Sequence, residues 1–201
     1  PLYSSAASDV YKRQAQCRLL PVTFSRQMYF QDSVIDWRFE VNNQSTRDLP
    51  FLHIMHALLP VKDITGLHLP SYTALYDEIS HQSLPLRPAK ELGGVLLAAA
   101  QGDVHMLLLR NIQSGQLALE FNHRFRLTVR FDHRLFPTLG IWWNNGGYPA
   151  ANACHRFECA FEPIPGTSSS LAQALAQGTT LMVPAQGKRS WTVNWEIASL
   201  E

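Results

Sequence analysis

The stretch Phe157-Glu158-Cys159-Ala160-Phe161-Glu162-Pro163 alternates apolar and polar residues up to a carboxylate followed by proline. Read with a period of two, Phe157, Cys159 and Phe161 share one face of a strand, and Arg156, Glu158, Ala160 and Glu162 share the other. The first face belongs to a core. The second, with an arginine, two carboxylates and a small alanine, leaves room for a ligand to lie across it. Pro163 lacks an N–H and is expected to end ladder pairing directly after Glu162, leaving that carboxylate at a sheet terminus beside a loop. The plainer reading of the same pattern is a solvated face with Arg156 and Glu158 as a surface pair of little energetic worth.

Working outward, strand patterns dominate the chain. Val34 to Val41 alternates cleanly, with Ile35, Trp37, Phe39 and Val41 on one face and Asp36, Arg38 and Glu40 on the other. Leu20 to Phe24, Arg26 to Phe30, Val104 to Asn111, Gln116 to Phe121, Phe125 to Phe131, Gly140 to Trp143 and Ser190 to Ile197 read as further strands, spaced by Gly, Asn and Pro turns. Leu49 to Leu59 is a near-continuous apolar run, which fits a strand covered on both faces. Pro60 to Leu92, punctuated by Pro70, Pro85 and Pro88, reads as one long loop. The one helix expected is Ser169 to Ala176, capped from the cluster Ser168-Ser169-Ser170. The pattern as a whole predicts an all-β, antiparallel domain of two large packed sheets.

Within that frame, Phe51-Leu52-His53-Ile54-Met55-His56 sets two histidines in an apolar run. A histidine can hold or release a proton near neutral pH, which complements the carboxylate of Glu162. Three positions apart on an extended chain, His53 and His56 point to opposite sides, so only one of them is expected to meet a ligand. A pair of histidines alone is also short of a metal site. In Gly140-Ile141-Trp142-Trp143-Asn144-Asn145-Gly146-Gly147-Tyr148-Pro149, one of the adjacent tryptophans must turn into the core. The other, beside amides and a tyrosine, makes the aromatic and hydrogen-bonding surface that sugars favour. Trp143, Asn144 and Tyr148 are taken as its ligand-facing members, with His53, Arg156 and Glu158 as further binding candidates.

The 201 residues carry a net charge of +1 with 16% charged residues, so no strong field draws the chain to nucleic acid or an anionic membrane. No apolar run approaches the ~20 residues that span a bilayer. Cys17, Cys154 and Cys159 form no CxxC pair, which argues against structural zinc. They read as reduced thiols packed as small hydrophobes in a cytoplasmic protein, and no cofactor is called for. Residues 1–14 show no hydrophobic period and resemble translated adapter sequence. The domain is therefore expected over 15–201, short of its natural amino-terminal part.

Taken in order, Phe51 to Leu58, Phe136-Pro137-Thr138-Leu139-Gly140-Ile141-Trp142-Trp143, Phe161-Glu162-Pro163 and the tail from Gly166 to Ile197 resemble the galactose mutarotase (aldose 1-epimerase) superfamily over roughly residues 24–197. The resemblance implies an antiparallel β-supersandwich with a sugar cleft on one concave sheet. It implies Glu162 as general base and His56 as general acid, acting on a monosaccharide or sugar phosphate. The chain departs from the family's pattern at Ala57, where proline is frequent, and in Glu158, which offers a competing base. The family's amino-terminal Arg and second His have no counterpart. Two other readings share the fold: a carbohydrate-binding domain without turnover, and the sandwich domain of a larger polysaccharide-active enzyme.

Overall fold

In the computed structural model, which describes residues 10–149 and 156–200, the chain begins with three strands, β1 (Val10–Gln16), β2 (Val22–Gln31) and β3 (Val34–Asn43). Short strands β4 (Leu49–Phe51), β5 (Leu59–Pro60), β6 (Ile64–His68), β7 (Ala74–Asp77) and β8 (Gln82–Leu84) lead to helix α1 (Ala89–Leu97). Then come β9 (Val104–Arg110), β10 (Gln116–Phe121), β11 (Phe125–Phe131), β12 (Thr138–Asn145) and β13 (Phe157–Ile164). Helix α2 (Leu171–Ala176), β14 (Leu181–Val183) and β15 (Gly187–Ser199) complete the described chain. All pairings are antiparallel. A seven-stranded sheet runs β1-β2-β3-β15-β11-β10-β6, a six-stranded sheet runs β5-β13-β12-β9-β7-β8, and β14 pairs with β4.

The two large sheets bury one face each against the other. Phe39, Val41, Trp191, Val193, Leu127, Val129, Leu117 and Leu119 from the first meet Leu107, Leu109, Leu139, Ile141, Trp143 and Cys159 from the second. The period-two reading of β3 holds in its second half, with Phe39 and Val41 inside and Arg38 exposed, whereas Ile35, Asp36 and Trp37 are all half-buried. The bounds of β10 and β11 agree with expectation, and so does the Ser170 cap of α2, whose Oγ accepts from Gln173 N–H.

Four expectations are corrected. Leu49 to Leu59 is not one buried strand, because β14 offers partners only to Leu49–Phe51 and β13 only to Leu59 and Pro60. The residues between cross from one sheet to the next as a half-buried strap, in which His56 and Leu58 are exposed. The supposed loop from Pro60 to Leu92 holds β6, β7, β8 and the start of α1. Proline punctuation misled here because each proline falls between elements: Pro70 between β6 and β7, Pro85 after β8, and Pro88 at the helix start. Pro163 does not end β13, since it pairs with Leu139 and Ile164 pairs with Thr138. β5 covers only Glu158 and Cys159, so one edge of β13 beyond them carries no ladder for proline to break. Of the cysteines, Cys159 is buried as expected, Cys17 is exposed, and Cys154 lies outside the described residues.

Residues 10–16, mostly from the stretch set aside on sequence grounds, pair with β2 as an edge strand exposed along its whole length. Among the described residues no helix is long and apolar enough to cross a membrane.

Candidate active site

The face of the six-stranded sheet turned away from the core is set by register. Gly140 stands opposite Glu162 on one side and Leu108 on the other. Trp142 stands between Ala160 and Met106, and Asn144 between Glu158 and Val104. The polar face of β13 is therefore continuous with the even-numbered face of β12 and β9. Past the end of β7, Glu78 donates its backbone N–H to Met106 O at 2.8 Å and joins the same wall. The strap brings His56 over this wall. His56, Glu78, Met106, Trp142 and Tyr148 line an open cleft of about 670 Å³, a size suited to small ligands.

His56 Nδ1 and Glu162 Oε1 are hydrogen-bonded, and of the two only His56 lines the cleft. The two partners differ sharply in exposure: the His56 side chain is 49% exposed and that of Glu162 is 4%. Burial pushes the Glu162 carboxyl above its ordinary range. The hydrogen bond and charge of His56 oppose that rise, and the negative charge of Glu78 adds to it. Room for Glu162 depends on Gly140, because a Cβ there would come within 3.2 Å of Oε2 and 2.9 Å of Ile164 Cδ1.

The two tryptophans fall opposite to expectation. Trp143 is 1% exposed and packs in the core, so it cannot meet a ligand, and Trp142 takes the cleft position. Strand parity explains this: Glu162 and Trp142 are both even-numbered and meet on one face through the β12–β13 register, which sequence alone does not supply. Tyr148 lies in the cleft as expected, 5.5 Å from Trp142 and edge-on to it. Asn144 is also corrected. It is fully buried, its Oδ1 accepts the N–H groups of Gly146, Gly147 and Tyr148, and its Nδ2 donates to Tyr148 O. It shapes the turn that carries Tyr148 rather than touching a ligand.

His53 stands outside this cleft. Its ring lies 4.6 Å from that of Phe39, 5.2 Å from Trp191 and 5.4 Å from Phe24. Burial, helped by the charge of Arg26, lowers its pKa to about 4. With His56, Phe24 and Arg26, His53 lines a second open cavity of about 530 Å³, so the expectation that only one of the two histidines could meet a ligand is corrected. Arg156 is exposed and stands 3.7 Å from Glu158, whose side chain is 19% exposed; neither lines the cleft. Sequence reasoning missed Glu78, because it sits in the stretch read as a loop. Ser169 Oγ donates to both of its carboxylate oxygens, at 2.8 and 2.7 Å. Among the described residues no three His, Cys, Asp or Glu side chains are grouped to hold a metal ion.

This architecture is the galactose mutarotase-like β-sandwich. A protein of Synechocystis sp. PCC 6803 superposes with a TM-score of 0.74 at 15% identity, over 96% of this chain and 63% of its own. A provisionally assigned aldose 1-epimerase of Escherichia coli K12 superposes with a TM-score of 0.75 at 16% identity, over 98% of this chain and 67% of its own. For the galactose 1-epimerase of Lactobacillus acidophilus NCFM the TM-score is 0.65 at 14% identity, over 98% and 65%. The chain thus spans about two thirds of the length of these proteins. No family model matches the sequence, and no curated protein is similar to it.

Proposed function

We propose that the chain is an aldose 1-epimerase-like domain that interconverts the anomers of a free sugar or sugar phosphate by acid–base ring opening. The observation that carries this reading is the hydrogen-bonded His56–Glu162 pair, whose His56 lines an aromatic-walled cleft. The anomeric hydroxyl enters between the two side chains. Glu162 takes its proton while His56 gives one to the ring oxygen. The C1–O5 bond breaks with its electron pair passing to O5, and the O1 electrons form the C1=O double bond. Rotation about C1–C2 and the reverse transfers close the ring on the other face. Burial raises the proton affinity of Glu162 above that of an ordinary carboxyl, toward the range in which a general base works best.

The near-complete burial of Glu162 beneath His56 favours a second reading, a sugar-binding domain without turnover. Exchange NMR or polarimetry on fresh α-glucose and α-galactose separates the two. Acceleration over buffer that is lost in Glu162→Gln supports the epimerase. Binding that survives this substitution, with no acceleration in the unsubstituted chain, sinks it.

A further inference from the structure

We propose that the molecule carries a second ligand site, remote from the cleft, which binds a phosphate group at the amino-terminal end of α1. Ser71, Tyr72, Leu86, Arg87, Pro88 and Ala89 line a separate cavity of about 250 Å³. It shares no lining residue with the cleft around His56. Tyr72 precedes β7 and Glu78 follows it, so the two sites stand six residues apart along that strand, about 20 Å at strand rise.

The observation that points to a ligand is the Tyr72 hydroxyl. Tyr72 forms one wall of the cavity and is 7% exposed, and its hydroxyl has no hydrogen-bond partner among the described residues. A hydroxyl buried in this state is costly, because it has given up water without a replacement. The charges of Arg87 and Glu91 both act on it, which places it beside the first turn of α1. The Arg87 backbone N–H lies close by and can only donate, so what the hydroxyl lacks is an acceptor for its own proton. Burial raises its pKa, so that proton is held at neutral pH and is free to be donated.

Further donors gather at the same place. α1 is nine residues long and its N-cap is Pro88, which has no side-chain acceptor, so the first-turn N–H groups from Ala89 onward go uncapped. They carry the positive end of the helix dipole, which favours an anion. Arg87 adds a guanidinium, held at 2.9 Å by Glu91, the acidic residue of that turn, in an exposed pair. Such a pair contributes little, so Arg87 can exchange Glu91 for an anion of higher charge. A phosphate group brings three or more acceptor oxygens and nearly two negative charges, enough to meet Tyr72, the Ala89 N–H and Arg87 together. A carboxylate, with two oxygens, matches this set of donors less well.

The test adds inorganic phosphate or glycerol 3-phosphate to the full chain, at an ionic strength held constant with chloride, and follows NMR shifts and thermal unfolding. Saturable shifts are expected at the amides of Ala89, Lys90 and Glu91, with a melting temperature that rises with occupancy. Tyr72→Phe keeps the ring and removes the donor, so it should weaken phosphate binding by about tenfold. In phosphate-free buffer the same variant should be at least as stable as the unsubstituted chain, since it deletes a buried group with no partner. Arg87→Gln, at an exposed position, should weaken binding by a similar factor. Tighter binding of glycerol 3-phosphate assigns the site to an organic phosphate, and equal or weaker binding assigns it to the free ion. No saturable shift at these amides, or unchanged affinity in either folded variant, overturns the proposal. So does a loss of stability in Tyr72→Phe without phosphate, which would mean that the hydroxyl is already satisfied. None of these readouts depends on anomerisation at His56.

Discussion

The Glu162 carboxyl keeps its proton to higher pH than a free carboxyl would, first because it is buried and then because Glu78 is nearby, against the opposing pull of His56. A base must be ionised to act, so the acidic limb of the pH–rate profile is expected above the ordinary 4.5. Glu78→Gln removes a charge that favours the protonated form and should move this limb to lower pH, read from rates across a pH series. Stability follows the same sign. A carboxyl that binds its proton more tightly when folded favours the folded state at low pH and disfavours it as pH rises through the folded value. Glu162→Gln lacks that penalty, so its stability relative to the unsubstituted chain should increase with pH, as chemical denaturation can show. His53 runs the other way. Its pKa falls from 6.5 to about 4 on folding, so the unfolded chain takes up the proton first. Stability present above 6.5 is lost as pH falls through this window, by at most about 3.4 kcal/mol. His53→Phe keeps a ring among Phe24, Phe39 and Trp191 and should flatten the acid side of the denaturation profile.

At the scale of elements, the register of β12 against β13 decides how the site is assembled, and it does so through one missing side chain. Gly140→Ala would push against both Glu162 and Ile164. Overpacking of this kind costs about 1–3 kcal/mol. It should also displace the carboxylate, so the variant is expected to lose epimerisation while still folding, a combination that circular dichroism and rate measurements together detect. None of this was legible from spacing. The alternation around Glu162 gave the strand and its two faces correctly, because period two is a local property. Which tryptophan shares the face of Glu162 depends on pairing between strands, so Trp143 was expected where Trp142 stands. Helix α1 was hidden for a different reason: Gly93 and Gly94 lower its helix propensity. Gly93 is nevertheless required, because a Cβ there would meet Leu67 O at 2.8 Å, where the helix lies on β6.

For the whole molecule, the sandwich class was readable from the recurrence of short alternating segments, and the two members of the proposed acid–base pair, His56 and Glu162, were both singled out. Their meeting across 106 residues was expected from the family resemblance and not from spacing, since nothing local says where an unpaired strap will pass over a sheet. Glu78 was lost for the same reason. The strand order carries its own prediction. β15 lies between β3 and β11 and pairs along ten residues with the former and seven with the latter. Ending the chain after Arg189 would leave both neighbours with open edges and remove Trp191 and Val193 from the core. Such a chain is expected to lack a cooperative thermal transition, as calorimetry would show.

A central strand drawn from so late in the chain also sets an order of events during synthesis. The hairpin of β2 and β3 and the hairpin of β10 and β11 can each form as they leave the ribosome, but they cannot be joined into one sheet until residue 199 has emerged. Until then each presents a bare margin to other nascent chains. This protein therefore completes its fold only after nearly all of the described sequence has been translated, and the unpaired edges of the two hairpins are open to misassociation throughout that interval.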